Sequence, residues 1–461
     1  MAEPVLFACH GCGATVDAAQ ALPFRCPRGA QGDVDHVLEP APPHGDLGAS
    51  TERNPFLRFR ALLSPYRLAR SAGLADAAWA ELVAELDAAI EAVDGRGFRV
   101  TALAPAPRLA AALGVAGELW LKDETRNVAG SHKARHLMGV MLYLRVLEAA
   151  RLPAGEGLRQ RRLAIASCGN AALAAAVVAR GARWPLDVFI PPDADPAVVE
   201  RLRELEAGIT VCERRPGEAG DPCFHRFREA VASGALAFGV QGNENGLAVE
   251  GGRTLAFEMA EQLRDAGVAP DALYVQVGGG ALASALAQGF ALAAQRGVLP
   301  RPPRLVAVQT ARCAPLERAW HRLAGVDLAD AARARSRFMW PWETAPASLA
   351  HGILDDETYD WWAIAAGMRA TGGSPVVVSE DDLARAHELV RRHAGIAASH
   401  TGTAGVAGIL ASARPAPLPD PLPACRRGEG DDILGSSTLS PTGVEGSAGR
   451  RVVAVLSGVE R

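Results

Sequence analysis

From about residue 100 to 310 the chain alternates two apolar patterns. Short, nearly continuous apolar runs, LAIAS (163–167), LDVFIP (186–191), ITVCE (209–213), LAFGVQG (236–242), ALYVQVG (272–278) and RLVAVQ (304–309), are separated by stretches such as NAALAAAVVARG and PAVVERLRELEA. Runs of that length, joined by helices of about a dozen residues, predict parallel β-α-β construction. The stretch after 236–242 predicts a long amphipathic helix. A last apolar run, RVVAVLSG, predicts a closing strand. Before it, 411–450 is rich in proline, glycine and serine without sustained periodicity and reads as a mobile insertion, with Cys425 an exposed free thiol.

In parallel sheets ligands bind beyond the carboxyl ends of the strands, so the turns there carry the chemistry. VQVGGGALASAL puts Gly278, Gly279 and Gly280 between a strand and a helix. Backbone N–H groups in such a turn, backed by a helix N-terminus, suit a small phosphate. The run has neither the G-K-[ST] of a Walker loop nor the G-x-G-x-x-G spacing of a dinucleotide site. The other informative turn, SCGNAA, offers Ser167, Gly169 and Asn170 at a helix start, either as an N-cap or as an anion cradle. Cys168 in that turn has no identifiable partner base and is a poor candidate nucleophile.

Composition adds one signal. Of 48 basic side chains only Lys122 and Lys133 are lysines, both within LWLKDETRNVAGSHKARHL. Arginine cannot lose its proton, whereas a desolvated lysine becomes a neutral nucleophile able to form a Schiff base. The remaining composition, 49% hydrophobic and 22% charged over 461 residues, is ordinary for a globular chain of two to four domains. A net charge of −4 gives no electrostatic case for nucleic acid or an anionic membrane. The N-terminus, MAEPVLFACHGC, lacks a basic region followed by an apolar run, so neither a signal peptide nor a membrane span is expected. Reduced thiols and a cytoplasmic location follow as expectations. Cys9, Cys12 and Cys26 cluster near the start with His36, which suggests a structural zinc site of three thiolates and one imidazole. The second C-x2-C is incomplete, because Gly29 stands where its last cysteine would be, so a metal-free ribbon is the other reading.

The order of a lysine in a G-S-x-K turn, S-x-G-N, a glycine-rich loop and a late serine/threonine segment resembles the pyridoxal-phosphate enzymes of the tryptophan synthase β-subunit fold, fold type II. Within them it is similar to the threonine synthase-like and serine/threonine dehydratase group, over roughly 95–411 plus the last strand. The N-terminal cysteine segment is similar to the ribbon that precedes many threonine synthases.

The resemblance implies an α/β fold of two open, mostly parallel sheets flanked by helices, with a small N-terminal cysteine-containing ribbon. It implies a ribbon over 1–45, a large cofactor-binding domain over 46–134 and 246–461 carrying the 411–450 insertion, and a small substrate-side domain over 135–245. Lys133 would form the Schiff base with pyridoxal 5′-phosphate, and Asn170 would contact the cofactor's phenolic oxygen. Gly278, Gly279, Gly280 and Ala281 would hold its phosphate, and Thr401 in SHTGTAGVAG would face the pyridine nitrogen. Ser167, Cys168, Gly169 and Ala171 would line the substrate-carboxylate loop, and Lys122 would be a structural lysine on the preceding strand.

The implied activity is elimination or replacement at the β or γ carbon of a small amino acid by a homodimeric, threonine synthase-like lyase. The alternatives are a serine/threonine ammonia-lyase, a specialised biosynthetic enzyme with another amino-acid substrate, and a non-catalytic descendant. His132 and Ala134 replace the phenylalanine and aspartate usual beside the lysine of threonine synthases. No further lysine is available to grip a phosphorylated substrate, which leaves arginines such as Arg135 for that role. The tryptophan- and acid-rich segment 338–362 is expected to shape the substrate pocket or a subunit contact.

Overall fold

The structure is a computed structural model that describes residues 4–43, 45–47, 50–218, 220–413 and 449–460. The N-terminal ribbon consists of β1 (Leu6–Cys9), β2 (Thr15–Asp17) and β3 (Leu38–Pro40), antiparallel in the order β2-β1-β3. After it come β4 (Leu103–Pro105) and β5 (Gly117–Asp123). A four-stranded parallel sheet follows, made of β6 (Leu163–Ala166), β7 (Leu186–Ile190), β8 (Gly208–Val211) and β9 (Leu236–Ala237) in the order β8-β7-β6-β9. The chain then returns through β10 (Ala272–Gln276), β11 (Arg304–Thr310), β12 (Ser374–Val378) and β13 (Arg450–Leu456). These join β4 and β5 in a six-stranded sheet of order β12-β11-β10-β13-β5-β4, parallel except for β4.

Successive side chains of a strand point to opposite faces, so a sheet covered by helices on both sides needs apolar residues at every position. The inner strands β10, β11 and β13 of the six-stranded sheet come close to it. Leu273, Val275, Leu305, Ala307, Val453 and Val455 enter one core, while Tyr274, Val306, Val308, Val452, Ala454 and Leu456 enter another. The four-stranded sheet packs into a third core, shared with the ribbon and with helix Asp76–Asp94.

All six apolar runs become strands at the expected places, although LAFGVQG pairs over two residues only. The long amphipathic helix is Ala248–Asp265, and its polar face is largely buried too, because helices Lys133–Ala149 and Ala281–Gln295 pack against it. Helix His400–Ser412 runs past residue 411 and β13 starts at Arg450. The rest of the 411–450 segment, Cys425 included, lies outside the described residues. Among the described residues no helix is long and apolar enough to cross a membrane.

Candidate functional site

Carboxyl ends of strands from both sheets supply the site. At the end of β10, Gly280 adopts a φ of +101° and starts helix Ala281–Gln295. Glycine is needed there, since an L side chain is strained at that φ and an added Cβ would lie 2.8 Å from Ile364. After β6, Ser167 Oγ accepts from the Gly169 N–H at 3.4 Å, and Asn170 opens helix Asn170–Gly181. Ala171 is buried one residue further on. Cys168 is exposed, and desolvation together with the carboxylates of Asp221, Asp193 and Asp355 raises its thiol pKa, so it stays protonated at neutral pH.

At the end of β13, Ser457 Oγ accepts from the His132 N–H at 3.0 Å and hydrogen-bonds His132 Nδ1. Gly458 lies against Asn170, whose Nδ2 would be 2.7 Å from a Cβ at that position. Asn170, Ser457 and His132, with Lys133 next in the chain, thus come together, although Asn170 follows a strand of one sheet and Ser457 a strand of the other. Lys133 opens helix Lys133–Ala149. Burial lowers its amine pKa, against the opposing pull of Asp355 and Asp360. His132 is held neutral by burial and by the charge of Lys133, and its Nε2 is buried without a hydrogen-bond partner.

The first turn of this helix is pinned by charge. Arg135 donates to both oxygens of Glu124 at 2.8 and 2.9 Å and to both of Glu258 at 2.7 and 3.1 Å, fully buried. Lys122 completes the network through Glu258, the Thr101 carbonyl and Gln262 at 2.8–2.9 Å. Lys122 is therefore the interior structural lysine of β5. Arg135, the arginine considered for gripping a substrate phosphate, is instead consumed by two carboxylates, because a buried guanidinium needs paired counter-charges.

Sequence reasoning missed the group that faces the glycine turn. Asp355 Oδ2 accepts from the Gly279 N–H at 2.7 Å, and the Asp360 N–H donates to the Gly279 carbonyl at 3.0 Å. Both acids come from the 338–362 segment, whose only sequence signal was its richness in tryptophan and acid. Burial raises Asp355, and it raises Asp360 to about 7 with Asp35 and Glu39 adding to the shift against a Gly242 N–H and His10. Thr401 meets the same segment, its Oγ1 accepting from the Gly352 N–H at 3.0 Å.

In the ribbon, the donor atoms of Cys9, Cys12, Cys26 and His36 lie within 4.8 Å of one another. Cys12 and Cys26 sulfurs are 3.5 Å apart, and Cys9 Sγ is 3.6 Å from His36 Nδ1. Tetrahedral Zn–S bonds of ~2.3 Å and Zn–N bonds of ~2.0 Å imply S···S and S···N separations close to these. His36 Nε2 donates to the Gln31 carbonyl at 2.9 Å, which leaves Nδ1 as the lone pair facing the thiols. Beside this cluster a cleft of about 280 Å³, lined by His36, Asp221, Arg228, Arg335, Asp356 and Tyr359 among others, runs toward the acidic segment.

Two open α/β sheets, with a lysine, an anion-binding glycine turn and a polar helix start gathered at their strand ends, define a class of proteins that bind a small anionic ligand at the carboxyl ends of parallel strands. The pyridoxal-phosphate dependent enzyme family matches residues 96–420, and the chain belongs to it. It is 28% identical over 213 residues to L-serine dehydratase of Saccharomyces cerevisiae, covering 45% of this chain and 60% of that protein. It is 25% identical over 251 residues to threonine synthase of Mycobacterium bovis, covering 54% and 62%. The chain thus matches about three fifths of the length of these curated relatives. Among solved structures, maize serine racemase superposes with a TM-score of 0.55 at 16% identity, covering 83% of this chain and 94% of that one. The fold is that of fold type II pyridoxal-phosphate enzymes, with the cysteine cluster in the N-terminal ribbon.

Proposed function

We propose that the protein catalyses elimination or replacement at the β or γ carbon of a small amino acid, as a threonine synthase-like lyase. The observation that carries this is the pairing of a buried amine, Lys133, with a glycine turn whose Gly279 N–H already holds an anion at 2.7 Å. That the turn already bonds one of the chain's own carboxylates supports reading it as a phosphate cradle, and on that ground the residues fit pyridoxal 5′-phosphate. When bound, the cofactor supplies an electron sink for charge developing at the substrate Cα.

In this reading Gly278, Gly279, Gly280 and Ala281 would hold the phosphate through main-chain N–H groups, and Asn170 would meet the phenolic oxygen. Ser167, Cys168, Gly169 and Ala171 receive the substrate carboxylate. Lys133 Nζ is covalent anchor first and base second. Its lowered pKa raises the fraction of neutral amine able to take the Cα proton and return it. Thr401 would offer a hydroxyl to the pyridine nitrogen. A hydroxyl there would not hold that nitrogen protonated, which would favour loss of a leaving group over transamination. The neutral imidazole of His132 and its bond to Ser457 fix the backbone before Lys133. The domain division at 45, 134 and 245, a homodimer and a cytoplasmic setting belong to the same proposal, as does structural zinc held by Cys9, Cys12, Cys26 and His36.

A serine/threonine ammonia-lyase is the second reading. The loss of Arg135 to its carboxylate clamp favours it, since a phosphorylated substrate then lacks that cation. The test incubates the enzyme separately with O-phosphohomoserine, threonine and serine, and measures phosphate, threonine and 2-oxo acids. Release of phosphate with threonine supports the first reading, and 2-oxo acid from serine or threonine supports the second. A visible cofactor band that does not form even when cofactor is supplied to the wild type and to Asp355→Ala, or one that survives Lys133→Ala, refutes both.

A further inference from the structure

The segment around Asp355 occupies the anion cradle. Asp355 Oδ2 lies 2.7 Å from the Gly279 nitrogen and 2.3 Å from where a Cβ on Gly278 would stand, so the carboxylate rests directly on the turn. The grip is two-sided, because the Asp360 N–H takes the Gly279 carbonyl. The rest of the segment is tied down around it. Cys313 Sγ donates to the Asp355 carbonyl at 3.2 Å, Trp342 N–H donates to the Asp356 carbonyl at 2.9 Å, and Gly352 N–H donates to Thr401. Tyr359 and Thr358 close over Gly279 and Gly280 at 2.9 and 3.1 Å from their would-be Cβ positions. Asp355 also acts electrostatically on Lys133. One carboxylate therefore stands where an anionic ligand would meet the cradle N–H.

We propose that residues 353–360 form an autoinhibitory strap in which Asp355 stands in for the cofactor's phosphate, so that loading requires the strap to leave the Gly278–Gly280 turn. The proposal rests on reading that turn as the phosphate loop. The competition is between like partners: a backbone N–H bonds a carboxylate and a phosphate oxygen by the same charge-assisted contact, and it cannot serve both at full strength. Removing the carboxylate removes the competitor while leaving the cradle intact.

The test measures equilibrium uptake of pyridoxal 5′-phosphate by cofactor-depleted wild type, Asp355→Asn and Asp355→Ala, with hydrogen exchange of 353–360 in the wild type before and after loading. Asp355→Ala is expected to bind roughly tenfold tighter or more, the worth of one charge-assisted hydrogen bond, with Asn between. Exchange across 353–360, the Asp360 amide included, rises on loading. Equal affinities in the three proteins together with unchanged exchange overturn the strap alone. If the wild type and both variants take up no cofactor, the proposed function falls and the strap's role falls with it. The wild-type exchange measurement decides the question even if a variant folds poorly.

Discussion

Lys122→Met is expected to lower stability by about 3 kcal/mol, the lower end of the range for breaking a buried ion pair. The network holds two cations, Lys122 and Arg135, and two carboxylates, Glu124 and Glu258, all fully buried, so the wild type is balanced and the variant carries one uncompensated negative charge. The cost sits at the low end for a structural reason. Glu258 keeps both bonds from Arg135 and one from the Thr101 N–H at 3.2 Å, and the Thr101 carbonyl keeps the Gln262 amide at 2.8 Å. Adding Glu258→Gln restores neutrality, so the double variant should recover part of the loss through a coupling of roughly 1–3 kcal/mol. Lys122→Arg keeps the charge but enlarges a side chain with no exposure, which costs about 1–3 kcal/mol by overpacking. The assay is urea unfolding of all three variants beside wild type. A Lys122→Met midpoint within the spread of a surface substitution, about 0.5 kcal/mol, refutes the account. Because Arg135 sits two residues after Lys133, the same variant should also weaken cofactor retention, read as loss of the visible band on dialysis.

Asp360 carries a pH signature. Its folded pKa of about 7 lies above the unfolded value of 3.8, so the folded state binds the proton more tightly and stability falls as pH rises from about 4 to 7. The loss is on the order of 4 kcal/mol. Asp360→Asn should flatten stability over that window and exceed wild type above pH 7, and a slope equal to wild type would count against the buried carboxyl. For the ribbon, a strong chelator should release zinc in stoichiometric amount and lower the melting temperature, and Cys12→Ser should do the same without chelator. Purified protein free of zinc, with a melting temperature indifferent to chelator, assigns the ribbon to the metal-free reading. Zinc pulls thiols toward thiolate, so in its absence Cys9 remains pushed up to about 12 by burial while hydrogen bonds bring Cys12 down to about 7 against desolvation.

What the sequence discloses is local. Gly278–Gly280, the proposed phosphate turn, stood out because a strand, a tight turn and a helix are adjacent in the chain, and the backbone donors of such a turn come from neighbouring residues. The same holds for Ser167–Asn170, and for Lys133, whose rarity among 48 basic side chains marked it. The apolar runs marked the inner strands because burial on both faces leaves no polar register to misread, and the edge strand β8, which has no buried position, was marked by its β-branched run alone. β4 and β12 escaped that reading, one being a short antiparallel edge strand and the other a strand with a proline and an exposed first residue.

What stayed hidden depends on partners far apart in the chain. The acceptor on Gly279 comes from 76 residues later, the Glu258 partner of Lys122 from 136, and the Ser457 partner of His132 from 325. No spacing rule reaches such pairs, because the fold creates them only when both sheets close. The consequence is asymmetric. A motif can announce donors, since glycine turns and helix starts are built from neighbouring residues, but it cannot announce which acceptor fills them. Arg135 shows the same limit from the other side: its charge is visible in the sequence, and its two carboxylates are not, so it looked available when it was already committed. For this chain that asymmetry falls on the point that matters most. The cradle is legible as an anion site, while the fact that its anion is supplied by Asp355 follows only from the path of a segment with no periodicity of its own. On the proposed reading, whatever binds the turn must first outcompete that carboxylate, so the strength of the strap, as much as the chemistry of Lys133, would set how the site is loaded.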